Sequence, residues 1–233
     1  MAVFVAAVLR SFTGFGFALV AVPVFALFLP PTDVVVLSAA LALTISLLGW
    51  SNFRRSVSVR DMMPLLVTAA IGTALGALFL PHISRSLFQA SVGVAVLIAC
   101  AAMVAVRPAR TVQWPALPWV SGFLSGLMNG ALAIPGPPMI LHIMMTEFDP
   151  GRSRALLMAF FLVSSGLALL TYVVAGYVHW STVKLFVFAL PALYVGDRLG
   201  HALFLRFGSD FYRRVALLAL AALGVSITVR ALI

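Results

Sequence analysis

Ser11-Phe12-Thr13-Gly14-Phe15-Gly16-Phe17, with Pro23 following, and Ser125-Gly126-Leu127-Met128-Asn129-Gly130, followed by Ile134-Pro135-Gly136-Pro137-Pro138, are the two stretches that decide the fold. They lie inside the apolar runs 2–29 and 114–145, whose only Lys, Arg, Asp or Glu is Arg10. A helix crosses a hydrocarbon core with about 20 residues, so both runs are too long for one straight crossing. Glycine and proline at this density free backbone amides and carbonyls that lipid cannot satisfy. Each run therefore reads as a broken helix whose break is buried in protein or faces a wet cavity.

The rest of the chain agrees that the solvent is lipid. Of 233 residues, 63% are apolar and 9% charged, and the mean hydropathy is +1.15. Soluble domains carry roughly a quarter of their residues as charges. Six more apolar segments, 34–50, 62–80, 87–106, 155–178, 185–205 and 215–229, bring the count to about eight, joined by short polar corners such as Pro30-Pro31-Thr32-Asp33. No stretch is left for a soluble domain. The first run lacks a basic start and a convincing cleavage site, so it is expected to stay in the mature chain. The expected fold is an all-α polytopic membrane protein.

Offset against itself, the chain matches at a period near 120 residues. Gly16 falls over Gly136, Ser46 over Ser164, Gly72 and Gly76 over Gly196 and Gly200, and Phe88 over Tyr212. Two related halves, 1–106 and 107–233, each run from a broken helix through a charged corner and a long helix to a Gly-x-x-x-Gly helix. The net charge of +9 comes from fifteen basic and six acidic residues, and its placement tests the topology. If run 114–145 crosses fully, the loop cations divide almost evenly between the two sides. If it turns back, ten (54, 55, 60, 107, 110, 152, 154, 206, 213, 214) share one side against three (85, 184, 230). The positive-inside rule favours the hairpin. With the first run also re-entrant, each half has three crossings and the halves form an inverted repeat.

These features resemble the TauE/SafE family of sulfite and organosulfonate exporters, through Gly14-Phe15-Gly16-Phe17 with Pro23 and Gly122-Phe123-Leu124-Ser125-Gly126 with Gly136-Pro137-Pro138. The resemblance covers nearly the whole chain, including the Gly-x-x-x-Gly helix of each half. It implies an inner-membrane permease of about eight segments in two related halves, acting on small sulfur-containing or other anions.

A half-helix that starts inside the membrane presents free amides and a positive dipole end, which suits an anion. Pro137 or Pro138 fits the first turn of such a helix, because proline has no amide to leave unpaired. The expected binding set is Ser11, Thr13, Gly14, Gly16, Ser125, Asn129, Gly136 and Pro137, offering hydroxyls, a carboxamide and accessible backbone. Ser121, Gly122, Ser125, Gly126, Asn129 and Gly130 also describe a helix-packing face, the reading that better suits Gly122 and Gly126. Gly72, Gly76, Gly196 and Gly200 read as packing residues. Ionisable groups within the membrane are costly and often functional; Arg10, His142 and Asp197 are the candidates for charge recognition or proton coupling. A surface position for Arg10, an interfacial ion pair for Asp197 and a satisfied core site for His142 are the structural alternatives.

Neither Gly-x-Ser-x-Gly nor His-Glu-x-x-His occurs, and nothing calls for catalysis, a metal or a cofactor. The scattered arginines form no nucleic-acid stripe. The expected function is a secondary transporter for a small anion in the cell inner membrane, with an anion channel or a non-transporting partner subunit as alternatives. Small-residue helix faces would also permit a homodimer. Cys100 is the sole cysteine, so in a Cys100→Ala background Arg152→Cys should react with an impermeant thiol reagent only from the cytoplasm. Labelling of intact cells or spheroplasts from outside would refute the hairpin topology.

Overall fold

The structure is a computed structural model that describes residues 1–13, 16–50, 57, 59–105 and 114–207. Gly14, the side chain of Thr13, and the apolar segment 215–229 with its partner Tyr212 lie outside the described residues. Among the described residues there are nine α-helices and no strand: α1 (Ala2–Thr13), α2 (Phe17–Phe28), α3 (Pro31–Leu48), α4 (Val59–Phe79), α5 (Arg85–Ala105), α6 (Leu117–Leu132), α7 (Gly136–Thr146), α8 (Pro150–Val174) and α9 (Trp180–Phe207). The chain is an all-α membrane protein. Pro31–Leu48, Met62–His82 and Gly151–Val174 are each long and apolar enough to cross a bilayer.

Both long apolar runs are broken where glycine and proline cluster. Helix α6 stops because Ala133 adopts the left-handed conformation (φ 55°), with its amide on Asn129 O and the Ile134 amide on Met128 O. This closure satisfies carbonyls that the helix would otherwise leave open. Pro135 and Gly136 then start α7. Gly16, at φ 98°, stands before α2 in a conformation that glycine adopts without strain. The polar corners act as helix starts: Pro31 opens α3, and Asp149 caps α8 by accepting from the Arg152 amide at 2.7 Å.

Small residues bring two helix pairs into backbone contact. A Cβ on Gly126 of α6 would stand 2.2 Å from Ala69 O of α4, and one on Gly76 of α4 would stand 2.3 Å from Leu127 O. On Gly196 and Gly200 of α9 a Cβ would stand 2.7 Å from Phe4 O and 2.5 Å from Val8 O of α1. Within each pair later residues meet later residues, so α4 runs parallel to α6 and α1 parallel to α9. By contrast α3 and α8 are antiparallel: Gly49 faces Met158, and Gly166 faces Leu43. At the start of α9, Thr182 Oγ1 donates to Asp33 of α3 at 2.6 Å, which puts those two helix starts on one side.

The outer surface is apolar. Val67, Ile71, Leu75 and Leu78 form an exposed stripe on α4, the side that lipid covers. Trp50, Trp114, Trp119 and Trp180, all exposed, stand at helix ends, as interfacial aromatics do.

Gly126→Ala should force the α4 and α6 backbones apart and lower stability in detergent by about 1–3 kcal/mol. Gly166→Ala, whose new methyl would meet only Leu43 Cδ1 at 3.8 Å, should be neutral or slightly stabilising, both read as melting shifts of the purified protein.

A candidate anion site between the two breaks

A small cavity of about 40 Å³ lies between the breaks, near mid-length of α3 and α8. One side is Arg10, Gly16 to Leu19, Ala39 and Ala42; the other is Asn129, Ala133 to Gly136, Phe161 and Ser165. Most of the wall is apolar, and the exceptions are few enough to follow individually.

Arg10 is 4% exposed. Its Nη1 donates to Ala42 O at 3.2 Å and its Nη2 to Ser46 Oγ at 2.5 Å, while the Ser46 hydroxyl donates in turn to Ala42 O at 2.6 Å. A guanidinium has five donors, and these two bonds aim it from α1 across to α3 with its charge at the cavity wall. A charge at this depth is expensive, and the Asp197 carboxylate of α9 acts electrostatically on it. The first-turn amides of α2, on Phe17, Ala18 and Leu19, have no intrahelical acceptor and belong to residues of the same wall. Helix α7 contributes less, since Pro137 and Pro138 in its first turn carry no amide hydrogen.

Asn129 stands opposite. Its Nδ2 donates to Ser164 O at 2.8 Å, and the hydroxyl of the fully buried Tyr172 donates to the carbonyls of Asn129 (2.7 Å) and Gly130 (3.1 Å). Those carbonyls belong to the last turn of α6, where the break leaves fewer amides to pair them. Ser125 is buried, and its hydroxyl donates to Pro135 O. A residue two turns before the end of α6 thus touches the chain beyond the break, so the chain doubles back there.

Beside Arg10 is a second polar group. The Ser11 hydroxyl donates to Asp197, and Arg154 Nη2 donates to the Ser11 carbonyl at 2.8 Å. His142 is buried on α7, and its Nδ1 has no partner among the described residues.

Of the residues singled out from sequence, Arg10, Gly16, Asn129 and Gly136 line one cavity. Ser11 and Ser125 instead hold neighbouring groups, Asp197 and Pro135 O. Pro137, His142 and Asp197 are not part of the wall. Ser46, Phe161, Ser165 and Tyr172 were not singled out for the site. The hydroxyl of Ser46 had a signal in its place in the repeat, whereas Phe161 and Tyr172 look like ordinary apolar filling of α8. Ser165, not Ser164, matches Ser46 in its hydrogen bonding, since each hydroxyl donates to the carbonyl four residues earlier at 2.6 Å. Among the described residues no group of three His, Cys, Asp or Glu side chains is arranged to hold a metal.

A multi-pass helical bundle with an arginine-bearing cavity between two broken helices has the architecture of a membrane transporter. The sequence profile of the sulfite exporter TauE/SafE family matches residues 1–227, and the chain belongs to that family of transporters. No curated protein and no solved structure matches it.

Tyr172→Phe keeps the ring and removes the donor for two buried carbonyls. It should cost about 1–3 kcal/mol, measured as a lower melting temperature of the purified protein.

Proposed function

We propose that the protein is a secondary transporter of the cytoplasmic membrane that moves a small sulfur oxyanion or organosulfonate, with Arg10 as the fixed cation of its binding site. The observation that carries this reading is the buried Arg10, held by α3 and presented to a cavity bounded by both breaks. Gly16 and the first amides of α2 supply backbone donors, and Asn129 and Ser165 supply neutral polar groups. Asp197, beside Arg10, is the candidate for proton coupling, because its carboxylate competes with the anion for the same positive charge.

The inverted repeat is part of the proposal. Each Gly-x-x-x-Gly helix packs on the first broken helix of the other half, α4 on α6 and α9 on α1, and in parallel in both cases. That reciprocity supports an internal two-fold relation between 1–106 and 107–233. The shared side of the α3 and α9 starts, with α1 parallel to α9, supports a first hairpin that opens on that side. The second hairpin then opens on the opposite side, which carries most of the arginines and is read as cytoplasmic.

In proteoliposomes, uptake of sulfite, thiosulfate, sulfoacetate and sulfate should saturate for at least one anion and run uphill under an imposed pH gradient. Arg10→Gln should lower that uptake roughly ten- to hundredfold, the scale of a lost hydrogen bond to a charged group, and Arg10→Lys should retain part of it. Flux that never saturates would instead mark a channel, and absence of flux in the isolated protein a partner subunit.

A further inference from the structure

The helix-packing glycines are demanded by their neighbours, and Gly136 is not. A Cβ on Gly122, Gly126 or Gly130 would run into oxygens of α4, and one on Gly196 or Gly200 into carbonyls of α1. A Cβ on Gly136, the first residue of α7, would meet Ile140 Cδ1 at 3.6 Å and Leu19 Cδ1 at 4.0 Å, ordinary contact distances. Gly136 also lies outside the left-handed region, which among the described glycines holds Gly16 and Gly176. Glycine costs more chain entropy on folding than alanine does, so the missing methyl calls for a reason other than packing or backbone shape. That reason lies in where the methyl would stand. Gly136 and Leu19 line opposite walls of the cavity, so a Cβ within 4.0 Å of Leu19 occupies the gap between them. The cavity of about 40 Å³ has room for on the order of three waters, and a single methyl group removes a substantial part of it. Gly136 also carries the one amide hydrogen of residues 135–138, because Pro135, Pro137 and Pro138 have none, and that amide has no acceptor among the described residues.

We infer that Gly136 sets the size of anion the cavity takes: the gap it leaves beside Leu19 receives the apolar substituent on the sulfur, while Arg10 and the first amides of α2 hold the oxygens. The inference deepens the anion site proposed above and rests on it. The walls divide in the same way. Phe17, Leu19, Ile134 and Phe161 offer a carbon substituent apolar surface, and the polar side chains are those of Arg10, Asn129 and Ser165. Alanine at Gly136 keeps the backbone amide and leaves every charge in place, so its effect falls on size alone. In an apolar pocket one carbon more or less changes selectivity by about tenfold or more.

The test is uptake of sulfite and methanesulfonate by the full-length protein in proteoliposomes. Both anions carry three oxygens on sulfur, and only the second adds a methyl. Gly136→Ala should keep sulfite uptake near the wild-type level and lower methanesulfonate uptake about tenfold. The purified variant should melt at or slightly above the wild type, as alanine does where glycine is not required. Equal loss of both anions, no change in either, or a lower melting temperature overturns the inference, and so does a wild type that takes up only one of the two. In each of those cases Arg10-dependent uptake of either anion leaves the anion site standing. No uptake of either anion overturns both.

Discussion

In lipid every backbone amide and carbonyl must find its partner within the protein, and this chain interrupts two of its helices in the middle of the bundle. Much of what is distinctive in the structure serves those interruptions. At the α6–α7 break the carbonyls of Asn129 and Gly130 are held by Tyr172, that of Pro135 by Ser125, and that of Met128 by the returning Ile134 amide. At the α1–α2 break the first amides of α2 have no acceptor in their own helix and lie on the cavity wall. One break is thus closed mainly by the protein itself, and the other leaves its donors on the wall of the space between them. First-turn amides of a helix beside an arginine favour a negatively charged group.

The same constraint explains which features were legible in the sequence. A 28-residue apolar run with Gly14, Gly16 and Pro23 cannot be one regular helix, and the second run, with Pro135 to Pro138, cannot either; the breaks therefore followed from composition and local chemistry alone. So did the cavity residues Gly16, Asn129 and Gly136, since they sit at or beside the breaks. Arg10 was visible as an intramembrane charge, but its burial against Ala42 and Ser46 depends on where α3 passes. Ser125 shows the opposite case. As a hydroxyl next to a break it has the chemistry of a ligand, yet its bond goes to Pro135 O. A sequence reveals which groups are polar at a given depth, and only packing reveals which of them are already satisfied.

The repeat register shows this limit at finer scale. Glycines aligned at 120 and 124 residues, and serines at 118, give a period but not an equivalence. On the proposed repeat, backbone contacts and matching Ser-to-carbonyl bonds support an offset of 119 for α1, α3, α6 and α8. That one-residue difference exchanges Ser164 for Ser165 and pairs Arg10 with Asn129. That pairing is hidden at sequence level, since arginine and asparagine share no obvious alignment signal.

The packing also separates the sequence halves from the mechanical ones. Helices α4 and α6 come from different halves, as do α1 and α9, yet both pairs touch backbone to backbone, with glycine positions that leave no room for a Cβ. Contacts of that kind are rigid, because neither partner has a side chain that can rotate aside. Between α3 and α8 the contact at Gly49 and Gly166 is made through Met158 and Leu43, flexible side chains able to change rotamer as the helices slide. The tightest units are thus the pairs α1 with α9 and α4 with α6, and the α3–α8 seam is the softer contact between them. The cavity wall draws on all of these elements: Arg10 belongs to one unit, Asn129 to the other, and Ala42, Phe161 and Ser165 to the seam. Relative motion of the two units would change the distance between the cation and the amide while each break kept its own hydrogen bonds. If the proposed transport proceeds by such motion, exposure of the site would alternate without unpairing, in lipid, the backbone groups on which the fold depends.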